Sequence, residues 1–397
     1  MQPDTAPMCW TAERPDPDAP AAGLGVLGGA EHQAVLVAHP EIGTYNHLPR
    51  LIRRGGHCVL MWRNHERDPH APGQRVLFSR SPDGVSWSTP RPLFQSLSPM
   101  EDIGGTGVLI SPDRFYLFED RCYAAARTWW VEEWMDDSGH SKTRRGDYHL
   151  HNIPVRRALP KLLLRLDEDG APLDSPFWLA ESSPPGLERI PPGTAESKHT
   201  LADVMRILRR DREDRAARWA PLASGAWLRP AGRYARADGA EVTLLQSGDD
   251  APRFCAALRR AGGERWSAPL ETDVPDSGAP VDIETLPDGQ VLLVGNLLPE
   301  ADRRDVLVLA SSPDGIAFDH AWTLRAGGPP MRFAGLGKRP GPQAPALLLD
   351  GETLLVAYAQ NQEDIVVAHV PVASVSRHAT VSGPETGTAD NGEEPPA

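Results

Sequence analysis

The side chains best able to do chemistry fall into a few groups. His149 and His151 are spaced H-x-H, which puts both imidazoles on one face of a strand, with His140 close by. That pattern would serve a metal ion, but no third ligand stands out beside them. The acidic run EEWMDD from Glu132 holds enough carboxylates for a glycosidase pair, although such a run is ordinarily a solvated loop. The four cysteines, Cys9, Cys58, Cys122 and Cys255, are far apart and form no C-x-x-C pair, so they read as buried free thiols. There is no P-loop, G-x-G-x-x-G, H-E-x-x-H or G-x-S-x-G pattern, which leaves nucleotide and serine-hydrolase chemistry without support.

These residues must be positioned by short elements. The 397 residues include 36 Gly and 40 Pro, well above the usual share, and this favours many turns over long helices. Hydrophobic residues make up 40%, enough for a large core. The net charge of −13 disfavours nucleic acid, and an acidic sugar would need a local cluster of arginines. No run approaches the roughly 18 apolar residues of a membrane span. The N-terminus lacks a basic start followed by an apolar stretch, so the expected location is cytoplasmic.

Paired apolar runs recur along the chain, with starts at His47, Gly105, Gly225, Val281 and Ala344, often joined by an Asp-Gly turn. The interval from 105 to 225 is about double the others, so a degenerate copy or a large insertion sits there, and the repeat count stands at five clear units with a sixth implied. Small antiparallel sheets repeating at this length predict an all-β fold, a single propeller of four-stranded antiparallel blades with a helical insertion. The boundaries are a disordered tail over 1–22, a propeller catalytic domain over 23–376, and a second disordered tail over 377–397. Insertions fall at about 129–155 and 181–220. The second contains a helix from His199, with Leu201, Val204, Met205 and Leu208 at helical spacing.

Two turns match one another: SRSPDGVSW, with Ser81, Asp83, Gly84 and Trp87, and SSPDGIAF, with Ser312, Asp314, Gly315 and Phe318. Ser and Asp can bond the turn backbone, Gly supplies a positive φ, and the aromatic plugs the blade. These segments resemble the Asp-box (BNR repeat) of the sialidase-like propellers, and the resemblance spans about residues 30–375. A sialidase would open with an F-R-I-P-like segment supplying the first arginine of a triad. Here the strand reads YNHLPRL, with Asn46 and His47 in that place.

That strand, with LMWRNHERDPHAPGQRVLFSRSPDG after it, looks more like the propeller-type polysaccharide lyases, the ulvan and rhamnose–glucuronate lyases. The resemblance implies seven blades, against the six of the repeat count. It implies His47 and His65 as the two family histidines and Tyr123 as the catalytic tyrosine. It further implies that Arg165, Tyr234, Arg236 and Arg332 hold the substrate. On this reading the enzyme takes an acidic oligosaccharide or polysaccharide and cleaves beside a uronic acid by β-elimination. A histidine removes the C5 proton, a tyrosine serves the leaving oxygen, and arginines cancel the carboxylate charge. No cofactor is required, although a divalent cation could share in neutralising the carboxylate; no membrane or nucleic-acid partner is expected. Two alternatives stay open: a sialidase-like glycoside hydrolase using carboxylates such as Asp102 and Glu363, and a non-catalytic glycan-binding propeller.

Overall fold

The computed structural model describes residues 7–68, 73–97, 107–131, 155–193, 201–209, 228–247, 252–335 and 337–375. Two strands precede the blades, β1 (Cys9–Trp10) and β2 (Glu31–Leu36). Blade one is β3 (Tyr45–Arg54), β4 (His57–His65), β5 (Arg75–Ser81) and β6 (Arg91–Phe94). Blade two is β7 (Gly107–Phe118), β8 (Arg121–Val131), β10 (Leu162–Leu166) and β11 (Phe177–Trp178), with β9 (Val155–Ala158) pairing the end of β8. Blade three is β12 (Leu228–Ala235), β13 (Glu241–Ser247), β14 (Arg253–Arg259) and β15 (Leu270–Pro275).

Blade four is β16 (Asp282–Thr285), β17 (Val291–Gly295), β18 (Val306–Ser312) and β20 (His320–Ala326). In the loop before β20, β19 (Ala317–Phe318) pairs in parallel with β1. Blade five is β21 (Pro342–Asp350), β22 (Thr353–Gln360) and β23 (Asp364–Pro371), and β2 from the other end of the chain completes it as the outermost strand.

The described residues therefore build five blades, not the six of the repeat count or the seven of the lyase resemblance. Among its described residues the doubled interval holds one sheet, which includes β9, and a helix, α1, over residues 201–209. Helical spacing located α1 correctly but not its buried face. Val204 and Ile207 are buried with Leu208 beside them, whereas Leu201 and Met205 face solvent. The i, i+3, i+4 stripe that packs is one residue set further along the helix.

Apolar clusters weld neighbouring blades: Met61, Val76 and Ile110 between blades one and two, and Leu60, Trp62 and Ala357 between five and one. Leu309 and Val356 join four to five, and Phe254 and Val308 join three to four. On the far face of blade two, Tyr123, Leu163 and Phe177 are covered by α1. Both Asp-box turns sit between the third and fourth strands of their blades. Asp83 Oδ1 accepts hydrogen bonds from the N–H groups of Val85 and Ser86, and Asp314 Oδ1 from those of Ile316 and Ala317. Gly84 (φ +74°) and Gly315 (φ +76°) make each turn possible.

The expectation of a disordered tail over 1–22 does not hold for residues 7–22. Met8 and Trp10 enter the cluster between blades three and four, and the Trp10 N–H donates to Asp273 at 2.7 Å. The Pro- and Asp-rich composition hid two large anchors in a segment that otherwise looks incapable of burial. Residues 1–6 and 376–397 lie outside the described residues. Trp10→Ala should remove about 3–5 kcal/mol of stability, seen as an earlier denaturant midpoint. An unchanged midpoint would show that the N-terminal segment does not clamp blades three and four.

Candidate functional site

In each blade the innermost strand (β3, β7, β12, β16 or β21) begins at one end of the tunnel, here called the mouth, and the second strand returns to it. The tight turns between these strands mark the opposite, hairpin end. Register places residues on one end or the other: Tyr45 pairs with His65 at the mouth, and Arg54 with His57 at the hairpin end.

The mouth is where the backbone departs from regular strand. Register shifts interrupt β3 between His47 and Arg50, and β21 between Gln343 and Ala346. Eight described residues other than glycine have left-handed φ. Five of them, Leu48, Asp302, Ala344, Asn361 and Gln362, are at the mouth, which identifies a site held in a costly conformation. The bulges re-aim the side chains beside them.

Those side chains form one network across three blades. Arg63 donates to the Tyr45 hydroxyl at 2.8 Å, and Tyr45 Oη lies 3.1 Å from His47 Nδ1. His47 Nε2 faces Gln362 Nε2 at 3.5 Å, and Gln362 donates to Gln343 Oε1 at 3.1 Å. Arg304 donates to the same Gln343 oxygen at 3.0 Å. Arg304 and Arg339 share one carboxylate, Asp302, at 3.4 and 2.8 Å. The Asp302 N–H continues the chain to the carbonyl of Ser277, next to Asp276.

The electrostatics are lopsided towards positive charge. Arg304 has a side chain only 10% exposed, and burial together with Arg339 pulls its pKa below the usual guanidinium value. The Nε atoms of Arg63 and Arg304 are buried without a hydrogen-bond partner. Arg63 also lies over the Tyr45 ring, 5.2 Å from its centre. Within this network of described residues, donors and cations exceed acceptors. Asp276 is one of several carboxyls with acid–base potential here: burial pushes its pKa up to about 6, while Gly278 N–H and Gln246 Nε2, each at 2.8 Å, oppose the rise, and burial also raises Asp282 at the start of β16 and pushes Glu284 up to about 7.

Three of the seven residues singled out in the sequence lie at this end. His47 is inside the network. His65 is turned into a backbone cap, its Nδ1 accepting from the N–H groups of Arg67 (3.1 Å) and Asp68 (2.9 Å). Arg332 pairs with Asp364 and lies 3.7 Å from Glu363, outside the network. Glu363 itself is buried and accepts from the N–H groups of Arg332 and Phe333, with Lys338 at 3.5 Å, so it anchors the loop before β21. Arg75 bonds Asn64 and the Ile42 carbonyl, a structural role.

The other four cannot meet His47, because strand register puts them near the hairpin end. Tyr123 is fully buried under α1 and donates to Asp203 at 2.9 Å. Arg165, its register partner in β10, pairs with Asp174 at 2.9 Å. The Tyr234 hydroxyl donates to the Gly315 carbonyl in the second Asp-box at 2.7 Å, and Arg236 pairs with Asp238 in its own hairpin. Alternation along a strand is visible in a sequence, but the end of the strand a residue occupies depends on where the hairpin falls. Asp102, His140, His149, His151 and the run from Glu132 lie outside the described residues. Among the described residues no group of three His, Cys, Asp or Glu side chains could hold a metal ion.

Tyr45, Arg63, Arg304, Arg339, Gln343 and Gln362 join the site without a motif in the sequence that singles them out. The sequence marks only one of them as unusual, Arg63, which ends the otherwise apolar run CVLMW, and nothing in it ties that arginine to the others.

The comparisons agree with this architecture. Residues 234–369 match the BNR repeat-like domain family. A solved sialidase superposes with a TM-score of 0.71 at 18% identity, over 92% of this chain and 35% of its own. The fold is that of the sialidase-like propellers. The chain spans about a third of the length of that sialidase. A protein of unknown function from Dyadobacter fermentans gives a TM-score of 0.53 at 17% identity, over 87% of this chain and 99% of its own. No curated protein matches this chain. At such identities the likeness is one of fold, and function must be argued from the mouth.

Tyr123→Phe should leave any activity of the mouth unchanged while costing about 1.5–3 kcal/mol through the lost bond to a charged, buried Asp203. A loss of turnover at unchanged stability would return Tyr123 to the site. Asp276 has a folded pKa raised above its unfolded value, so it destabilises the fold as pH rises from about 4 through about 6. Asp276→Asn keeps an acceptor for Gly278 and Gln246. It should therefore raise the unfolding midpoint at pH 8, by on the order of 2 kcal/mol, and leave it unchanged at pH 3. Equal midpoints at pH 8 would contradict the raised value.

Proposed function

We propose that this propeller is a carbohydrate-active enzyme that takes an acidic glycan at its mouth, with the sugar's anionic group against Arg63, Arg304 and Arg339. One observation carries the reading. In a protein of net charge −13, these guanidinium groups enter a single hydrogen-bonded network with His47, and two of their nitrogens are buried without a partner. Such a site attracts an acceptor-rich, negatively charged group in spite of the global field. Neutral sugars would leave its donors unsatisfied.

Two chemistries suit an acidic sugar held there. Hydrolysis of a glycosidic bond is favoured by Asp276, a mouth carboxyl whose pKa of about 6 lets it give and take a proton near neutrality. β-Elimination beside a uronate is favoured by the guanidinium groups next to His47, which would cancel the carboxylate charge as the C5 proton leaves. Strand register keeps Tyr123, Arg165, Tyr234 and Arg236 near the hairpin end, so support for elimination comes from the mouth residues. Elimination would have to run on the mouth residues alone.

A panel of uronate- and sialate-containing oligosaccharides separates these outcomes. Elimination produces an unsaturated uronate with rising near-ultraviolet absorbance; hydrolysis produces new reducing ends or released acidic sugar without that chromophore. Arg304→Met should lower kcat/KM on the acidic substrate by about tenfold or more, because a hydrogen bond to a charged group is lost. Activity confined to neutral glycans, or unchanged by Arg304→Met, would sink the proposal.

A further inference from the structure

β2 fastens the N-terminal segment to blade five with little burial of its own. It is six residues long, Leu36 is its one fully buried side chain, and it is the edge strand of its sheet. Two histidines sit in the joint. Register sets Glu31 opposite His369 and His32 opposite Ala368, so the two rings fall on opposite faces of blade five. His32 faces blade four, at Leu324 and Arg325. His369 faces blade one, where its ring lies 3.6 Å from the place a Cβ on Gly84 would take in the first Asp-box turn. Gln33 ties β2 to that same turn, donating to the Val85 carbonyl at 2.7 Å.

Both positions suit a neutral ring. Tyr358 is 1% exposed, and among the described residues its hydroxyl has one hydrogen-bond partner, His32 Nδ1 at 3.1 Å. A neutral His32 accepts the phenol hydrogen there. A protonated His32 can only donate, which leaves that buried hydrogen without an acceptor. Among the described residues the charged group facing His32 is Arg325, whose Nε is itself buried without a partner. Burial and then Arg325 lower the His32 pKa, against the Leu324 carbonyl, which favours the charged ring. His369 buries its Nε2 without a partner, so a hydrogen placed there meets no acceptor. Burial lowers its pKa as well, with Glu31 and Asp83 pulling the other way.

We propose that this joint is an acid-sensitive latch: protonation of His32 and His369 releases β2 from blade five, and with it the clasp that holds blade one against blade five. Each ring is held neutral in the closed joint and titrates near the ordinary histidine value, about 6.5, once the strand is free. The latch is therefore whole above that value and weakens as pH falls through it towards the lower values of the closed state. The mouth carboxyls act in the opposite sense, because the raised pKa values of Asp276 and Glu284 make acid stabilise the fold around them. Asn46 and Gln362 bond across the same pair of blades, so release of the latch loosens the mouth network too. The proposal stands whatever the mouth binds.

Hydrogen exchange on the full chain at pH 7.5 and 5.5, corrected for the intrinsic pH dependence of exchange, reads the latch strand by strand. Protection of residues 31–36 should fall by about fivefold or more at pH 5.5, relative to β13 in blade three, which touches neither histidine. His32→Gln, which keeps a neutral acceptor for Tyr358, combined with His369→Gln should flatten that dependence and preserve most of the protection at pH 7.5. Arg325→Met removes the cation facing His32 and leaves both rings in place. It should shrink the acid loss, and it tests the latch even if the double variant does not fold. Equal protection of residues 31–36 at the two pH values in the wild type overturns the proposal. So does an acid loss that persists in the double variant or is unchanged by Arg325→Met, and so does a loss spread evenly over all strands, which is general acid unfolding.

Discussion

The pairing of β2 with β23 is the contact on which the rest of the molecule depends. It fastens the N-terminal segment to the last blade and closes the ring, with Glu31 opposite His369 and Ala34 opposite Val366. Closure is what sets blade five against blade one. There the Asn46 N–H donates to the Gln362 carbonyl at 2.8 Å, and the Asn46 side chain donates to the Glu363 carbonyl at 2.7 Å. His47 and Gln362, far apart in the chain, meet because this seam is hydrogen-bonded shut. A propeller with the same blades but an open seam would have no mouth network.

The seam also explains why strain gathers at one end. Strands running through the blades satisfy their backbone groups by pairing, and the hairpin end is finished by Asp-Gly and Asp-box turns that cost little. At the mouth the chain must bulge to aim side chains inwards, and it does so at residues that are not glycine. Leu48, Ala344 and Gln362 hold left-handed conformations because their flanks are pinned by neighbouring blades. The guanidinium groups then accumulate where bulges have displaced regular side-chain alternation. Asp302 offsets part of their charge, but one carboxylate shared by Arg304 and Arg339 leaves a positive surplus.

The hairpin end has a different character. Tyr123, Arg121 and Asp203 tie α1 to blade two, and Tyr234 ties blade three to the second Asp-box. Tyr123 and Tyr234 are the two tyrosines that motif resemblance assigned to a site, and the arginines it assigned beside them, Arg165 and Arg236, pair with Asp174 and Asp238. Their hydroxyls and guanidinium groups are taken up by joints between elements. A Tyr or Arg in a blade strand is equally suited to either task, and only its distance from the hairpin separates them.

The amino-acid sequence determined much of the architecture. Its Asp-Gly turns, its paired apolar runs and two Asp-boxes are local signals, so the four-stranded antiparallel blade and the helix near residue 200 were legible without coordinates. The five repeat starts each correspond to a blade. The blade total was misjudged because spacing along a chain does not say whether a long interval is a sheet or an insertion. Burial of Met8 and Trp10 was equally invisible, since it depends on a groove that exists only once blades three and four are assembled. Tertiary structure alone decided the site. His47 could be suspected from its strand, but its partners come from β4, from the loop before β18 and from both ends of β21–β22. No periodicity links residues brought together by ring closure, and so no reading along one dimension could have named them.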